Sequence, residues 1–451
     1  MQTTHTTEFR AILALTGIMM ARLLGLFMIL PVFSLYASTL PGGTATMVGL
    51  AMGVYGLTQA CCQVPFGTLS DRWGRKPVIA LGLCIFIIGG IVAAYAHSLT
   101  GIVIGRALQG AAAISSALLA TVADLTRDET RSRAMAVIGM GIGFSFSLAM
   151  VLGPAFVPTV GLTGLFKISA LLGGIALLIL AFGVPTPPRL SVHHEAMPYA
   201  LLWKTDLWRL DVAVFTLHAI LVSVFFAAPL FLSRVLHLSP HQQTLFYLVS
   251  LSLAFLCVFP LIMMAEKRRC LKMVLKLSMW ILPIAPALLF TLPLHLTLAC
   301  LIWFLFFTAF SFLEASLPSV LSKRVPVQHK GTAMGFYSTS QFIGIFLGGT
   351  LSGACYHAGG FWGISFLLLA LGLVGILATL ALKEPPYFST FIFKLGEQAN
   401  ADIAHRLRRV PGIGDIWIAE NEGVLYVKAD KKIIPESQLR NVLNESNLIA
   451  L

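Results

Sequence analysis

Five polar side chains stand where hydrocarbon is expected. Arg22, Arg106, Gln109, His218 and Glu314 each fall inside an apolar run of about 20 residues, the length that crosses a bilayer. An ionisable group in such a place costs about 2.5 to 3.5 kcal/mol on insertion scales, so each needs a partner or a task. The chemistry open to this set is proton exchange. Glu314 reads as the one carboxylate deep in an apolar run and is the candidate proton carrier, because desolvation and a nearby cation pull a carboxyl group toward opposite protonation states. His218 is the second candidate, an imidazole that gains and loses charge near neutral pH, and it reads equally as a packing residue hydrogen-bonded across a span. No nucleophile and base stand together, and no phosphate-cradling Walker loop is present, so neither an enzyme nor an ATP-driven pump finds its residues here.

The elements that must hold these groups are membrane helices. Of 451 residues, 57% are hydrophobic and 11% charged, where soluble proteins carry about a quarter charged. Windows of about 19 residues pick out twelve spans near 11–37, 44–69, 78–96, 99–121, 133–157, 162–183, 210–232, 243–265, 271–292, 295–321, 331–356 and 361–382. The first lacks a small-residue cleavage site and reads as a retained helix. Nearly all lysine and arginine falls in alternate turns, with Arg234 the exception, and the positive-inside rule then puts those turns and both termini in the cytoplasm. The net charge of +12 is therefore mostly topology, and it suits anionic lipid head groups rather than nucleic acid. The seven cysteines form no C-x-x-C pair and join no histidine cluster, so no disulfide, metal or cofactor is expected.

One turn is far more specific than its charge requires. Gly67-Thr68-Leu69-Ser70-Asp71-Arg72-Trp73-Gly74-Arg75-Lys76 separates the second and third spans. It resembles the signature loop of the major facilitator superfamily, G-x-L-x-D-R-x-G-R-K, at every defining position. An ordinary basic loop would account for Arg72, Arg75 and Lys76, but not for Gly67, Gly74 and Asp71. Arg106-Ala107-Leu108-Gln109-Gly110 is similar to the family's fourth-helix motif, whose arginine the resemblance ties to proton coupling. Gly139, Gly143, Gly153 and Pro154 are similar to the family's antiporter motif, although Ala149 and Ala155-Phe156-Val157 depart from it, and such small residues also simply pack helices. Because carboxylates are stabilised at helix N-termini, Asp71 is expected near the start of the eleventh helix, around Gly331, when the cytoplasmic face is closed, with Arg75 then paired with Asp124.

The chain repeats itself. Arg131-Ser132-Arg133-Ala134-Met135 before the fifth span is echoed by Lys330-Gly331-Thr332-Ala333-Met334 before the eleventh. The fold expected is an all-α polytopic membrane protein of twelve transmembrane helices in two six-helix halves, followed by a small α+β domain. The domains are 10–186, a central loop 187–208, a second half 209–383 and a tail 387–451. In the tail, Phe388 to Leu395 alternates like a strand and Asn400 to Val410 like a helix. Asp415 to Ala419 with Val424 to Ala429 reads as a hairpin, Pro435 to Leu443 as a second helix, and Leu448 to Leu451 as a last strand. That order is ferredoxin-like, and a twelve-span transporter ending in such a domain resembles the YajR group of bacterial major facilitator proteins. The loop Leu395 to Asn400 has no thiolate, which excludes copper binding of the C-x-x-C type.

These readings lead to a secondary transporter in the cell inner membrane, multi-pass, expected to exchange protons for small organic or drug-like molecules. A membrane sensor signalling through its tail and an uncoupled facilitator are the alternatives. Partners are then a small-molecule substrate, protons and the lipid bilayer, with an anion or a protein at the tail. Because the cytoplasmic loops are already basic, the basic residues of the tail, Arg406, Arg408, Arg409, Lys428, Lys431 and Lys432, are expected to turn toward lipid or a soluble anion.

Overall fold

A computed structural model of the chain describes residues 5–126, 128–186, 207–293, 295–325, 329–384, 387–394, 410–419, 423–430 and 432–445. Its helices are α1 (His5–Phe27), α2 (Phe33–Ala37), α3 (Ala45–Trp73), α4 (Arg75–Ala94), α5 (Leu99–Ala111), α6 (Ser115–Leu125), α7 (Asp128–Gly183), α8 (Leu207–Arg234), α9 (Pro240–Lys267), α10 (Leu271–Thr291), α11 (Leu296–Arg324), α12 (Lys330–Leu380) and α13 (Glu436–Glu445).

Two of these are too long to be single rods. The 56 residues of α7 would reach about 84 Å if straight, nearly three bilayer cores. Gly161, at φ 66°, breaks the run where the fifth and sixth spans were expected to meet. Gly360, at φ 56°, does the same in α12. A side chain at either position would oppose the left-handed backbone, so glycine allows the chain to reverse without a loop. Among the described residues ten helical stretches are long and apolar enough to cross a membrane, and dividing these two restores the twelve crossings expected.

Two expected spans are broken. The run 11–37 is α1 and α2 separated by Met28–Val32, where Pro31 supplies no N–H. The run 99–121 is α5 and α6, with Ala112 to Ile114 outside both. Helix α8 lies at the centre of the second half. From Thr216 to Leu232 every residue is buried, as an all-round apolar helix must be.

The halves meet along a seam of glycines. A methyl group on Gly349 of α12 would lie 2.7 Å from Gly53 N and 2.8 Å from its Cα, both on α3. Gly49 presses on Gly349 and Gly353, and Gly56 on Phe342 and Ile345, so the two helices run antiparallel in backbone contact. Continued in that register, Gly67 would come beside Gly331 and Gly335. A methyl group on either of the latter meets nothing within 4 Å. The helices therefore splay at the face bearing the signature loop and are sealed at the opposite face.

The tail is a three-stranded antiparallel sheet in the order β1 (Ser389–Lys394), β3 (Val424–Ala429), β2 (Ile413–Ala419), with α13 beside it. Leu425, Val427 and Ala429 alternate into a core with Phe391, Phe393, Ile416, Leu439 and Leu443. The expected helix 400–410 and last strand 448–451 lie outside the described residues, as do Arg406, Arg408, Arg409, Lys431 and the central loop up to residue 206. The expectation for Lys428 and Lys432 is overturned. Lys428 Nζ donates to Ser322 O, Lys323 O and Val325 O at 3.3, 3.2 and 2.5 Å, and Lys432 Nζ donates to Lys267 O at 3.2 Å. Repulsion from basic side chains is outweighed because the ends of α11 and α9 present carbonyls and the negative pole of the helix dipole.

The seam carries a prediction. Gly349→Val places branched carbons where α3 backbone already sits, an overpacking of about 1–3 kcal/mol. The sealed face should loosen, lowering the melting temperature of the detergent-solubilised protein and speeding maleimide labelling of half-buried Cys355 near that face. Unchanged labelling and stability would show that the seam tolerates separation.

Candidate functional site

In the first half, Arg22 is wholly buried and reaches from α1 into the break between α5 and α6. Its NH2 donates to Ala112 O at 2.8 Å and to Gln59 Oε1 at 2.9 Å, while NH1 donates to Ser115 Oγ at 3.1 Å. Gln59 Nε2 passes the network on to Gln63 Oε1 at 3.2 Å. At the helix break the Ala112 carbonyl accepts only the Ile114 N–H, at 2.8 Å, and the guanidinium takes its second lone pair. Arg106, equally buried, lies over the Tyr55 ring at 5.2 Å and touches Ala51 O and Gln109 Oε1, each at 3.4 Å; Gln109 Nε2 reaches Ser169 Oγ at 3.2 Å. Among the described residues neither arginine is paired with a carboxylate. They are cations held by neutral acceptors and aromatic faces.

In the second half the structure brings His218 and Glu314 together. His218 Nδ1 is 3.1 Å from Val214 O, which orients the ring. Its Nε2 is 2.8 Å from Gln341 Nε2 and 3.5 Å from Glu314 Oε2, the second an ion-pair distance rather than a hydrogen bond. Glu314 Oε2 is buried and makes no hydrogen bond, although the side chain as a whole is 42% exposed, so this carboxylate has one face toward His218 and one toward open space.

Two neighbours were missed in the sequence. Asp211 lies two helical turns before His218 on the same side of α8, and Tyr337 lies one turn before Gln341 on α12. Asp211 Oδ1 and Tyr337 Oη are both buried without a hydrogen bond, and Tyr337 sits in the field of both the Glu314 and Asp211 carboxylates. Asp211 is thus a second carboxylate within a span, near its start rather than deep in it. Asp211 escaped notice because it sits one residue inside the expected start of its run, where a charge looks like a boundary. Tyr337 and Gln341 carried no signal beyond helical spacing.

The seam connects the two groups. Tyr55, under Arg106, packs edge-on against Phe342 at 6.4 Å, and Phe342 follows Gln341 in α12. Beside them an aromatic cluster bridges the halves. Phe146 of α7 contacts Phe27, Phe225, Phe307 and Phe310 with ring centroids 5.3 to 6.4 Å apart. Phe310, one turn before Glu314, stands edge-on to His218 at 6.2 Å.

The signature loop shrinks to the single residue Gly74 between α3 and α4. Arg75 pairs there with Asp71, donates to Asp124 Oδ2 at 2.9 Å and to Ser70 Oγ at 2.8 Å. Asp71 is half exposed, turned to Arg75 while α3 and α12 are splayed, and Arg72 is exposed. The Arg75–Asp124 pair is thus present with this face open, where it was expected for the closed face. Lys76 Nζ caps the end of α7 through Val184 O at 2.8 Å and Ala181 O at 3.1 Å. A methyl group would be free of close contact at Gly67, Gly139 and Gly143. The close approach of α7 to the first span is made by Gly153, which lies against Met28 O and Pro31 beside buried Pro154, and by Gly141 against Thr16. Gly139 and Gly143 therefore do not serve the close packing that their motif suggested.

Comparison with known proteins agrees with this architecture. A family profile described as Major Facilitator Superfamily matches residues 15–349 and, in a second overlapping match, 210–419. The inner membrane transport protein YajR of Escherichia coli is 37% identical, over 97% of this chain and 98% of its own length. The multidrug resistance protein MdtL of Klebsiella pneumoniae is 27% identical over 41% of this chain and 48% of its own. Among solved structures, a bacterial homolog of the human lysosomal transporter Spinster, inward-facing and occupied, superposes with a TM-score of 0.66 at 18% identity, covering 82% of this chain and 94% of that one. A D-xylose–proton symporter gives 0.66 at 16%, covering 83% and 98%.

Arg22→Met keeps the bulk on α1 but removes the guanidinium donors to the Ala112 carbonyl, Gln59 Oε1 and Ser115 Oγ, leaving the carbonyl only the Ile114 N–H. An unsatisfied buried group costs about 1–3 kcal/mol, so the variant should melt several degrees lower in detergent. Wild-type stability would mean that the break in the fourth span does not depend on Arg22.

Proposed function

From the premise that the chain belongs to the major facilitator superfamily, we propose that it is a proton-driven antiporter exporting small organic or drug-like molecules across the inner membrane, with both termini in the cytoplasm. That it is a multi-pass transporter follows from the family and from its likeness to YajR over nearly its whole length. The coupling rests on one observation, the contact of His218 with both Gln341 and Glu314 at the inner wall of the second half.

The chemistry follows from the ring nitrogens. With Nδ1–H given to Val214 O, Nε2 of the neutral imidazole is an acceptor, and the Gln341 amide at 2.8 Å donates to it. A proton on Nε2 reverses this. The ring becomes a donor, the amide N–H no longer fits, and the Glu314 carboxylate at 3.5 Å becomes the partner that gains. Protonation thus moves His218 from α12 toward α11, and Gln341 sits one residue from the seam that the two halves must open. The exposed side of Glu314 supplies the proton's path to solvent. The aromatic cluster around Phe146 offers apolar, polarisable surface between the halves, which suits lipophilic cargo. Likeness to a multidrug resistance protein supports the same class. The basic turns, Arg72, Arg75 and Lys76 among them, support the orientation by the positive-inside rule, and make the open face the cytoplasmic one.

Glu314→Gln keeps size and polarity but holds no exchangeable charge. In inverted vesicles with an imposed pH gradient, screened with a panel of lipophilic cations and dyes, it should abolish gradient-driven accumulation and leave counterflow of the same compound measurable. His218→Gln should be similarly impaired. Wild-type accumulation by Glu314→Gln would remove the carboxylate from the coupling step.

A further inference from the structure

The outer face of the tail sheet is built to fit the transporter. On β3, Leu425, Val427 and Ala429 point into the domain core, so alternation sends Tyr426, Lys428 and then Asp430 to the opposite face. In a free domain that face would be wet. Here Lys428 and Asp430 are 4% and 6% exposed. All three N–H bonds of the Lys428 ammonium find carbonyls, those of Ser322, Lys323 and Val325, which are the acceptors that the end of α11 leaves without helical donors. Asp430 receives Arg269 NH2 on both oxygens, at 2.6 and 2.7 Å, from the turn between α9 and α10. The Arg269 guanidinium also lies over the ring of Tyr387, at the start of the tail, at 5.1 Å. Lys323 in turn pairs with Glu266 at 3.0 Å, tying the end of α11 to the end of α9.

What this grip holds is the far side of a hinge. Pro318 lies inside α11, and a proline offers no N–H to the carbonyl four residues before it. That carbonyl belongs to Glu314. The segment from Pro318 to Val325 can therefore pivot about the turn that bears the proton-carrier candidate, and its free end, about 16 Å from Glu314, is the end that Lys428 caps.

We propose that the ends of α9 and α11 form a docking surface for the tail domain, and that docking through Lys428 and Asp430 fixes the Pro318 hinge and so the position of Glu314. The tail is then a regulatory part of the second half, and anything that lifts it frees the hinge. The assignment concerns the conformation of α11 and does not require that Glu314 carry protons.

Hydrogen exchange on the full-length protein in lipid nanodiscs tests it, with three variants. Lys428→Met removes the cap from the tail side, and Arg269→Asp breaks the other contact from the membrane side without touching the tail fold. Arg269→Asp with Asp430→Arg restores the pair. Both single changes should speed exchange about tenfold in 319–325 and also in 311–317 across the hinge, leave 424–429 protected, and raise cleavage by added protease near residues 384–387. The exchanged pair should recover protection. Faster exchange confined to 319–325 would show the tail to be a passenger and overturn control of Glu314. Unchanged exchange and cleavage in Arg269→Asp would overturn the docking surface itself, whatever Lys428→Met does to the tail.

Discussion

The backbone contact between α3 and the first arm of α12 is the interaction on which the other features depend. Only residues without side chains allow two helices to meet there, and in hydrocarbon such close packing replaces the hydrophobic drive that water would supply. Gly49 and Gly53 with Gly349 and Gly353 place one half against the other at the sealed face. From that contact the rest of the geometry follows. Tyr55 meets Phe342, which sets the buried Arg106 on one side of the seam and the Gln341–His218–Glu314 group on the other. A change in how His218 is bonded is felt by α12 at the residue before a seam contact. In the antiport proposed above, opening and proton binding would thereby act on one element, which is the physical content of coupling.

The second constraint is that polar atoms among membrane helices must be satisfied from within the protein. It explains why several cations lie at breaks and ends of helices. Arg22 occupies the gap at Ala112 where α5 stops, and Lys76 occupies the last carbonyls of α7. Lys428 does the same at the end of α11 from another domain. In each case a cation meets carbonyls at the negative end of a helix, and in none does it need a carboxylate. The carboxylates are thereby left for other uses. Asp71 and Asp124 share Arg75 in the signature loop, while Glu314 and Asp211 stand in the second half beside His218 and Tyr337.

Much of this was legible in the sequence because charge is rare in it. Twelve spans, the signature loop, Arg75 with Asp124, and His218 with Glu314 as the polar residues of the second half could be read directly, and so could the three strands and the final helix of the tail. What could not be read depends on backbone. The break at Ala112 to Ile114 is made of apolar residues with no turn signal, so nothing marked Arg22 as its partner. Gly139 and Gly143 fit a motif by spacing, yet a methyl group at Gly139 would meet nothing and one at Gly143 only the Phe255 ring edge at 3.8 Å, whereas Gly141 and Gly153 make the close contact. Spacing names the face of a helix, and only the neighbouring helix decides which glycine on that face is pressed.

The tail shows where counting charges fails. Lys428 and Lys432 belong to a basic patch of a domain that lies below basic loops, and a count of the lysines and arginines alone predicts repulsion. Helix ends reverse the sign. Each of the spans ending at that face points its last carbonyls out of the membrane, so the surface that the arginine and lysine side chains make positive also carries a regular set of fixed negative poles. An ammonium ion that reaches past the side chains to the carbonyls finds three acceptors in a geometry that lipid head groups do not offer, and loses less solvation than in an ion pair without further acceptors. Specific docking on such a surface calls for a rigid strand that aims one lysine at one helix end. β3 has that form: it is the central strand, its other face is pinned by Leu425, Val427 and Ala429, and Lys428 stands between the last two on the side that meets α11.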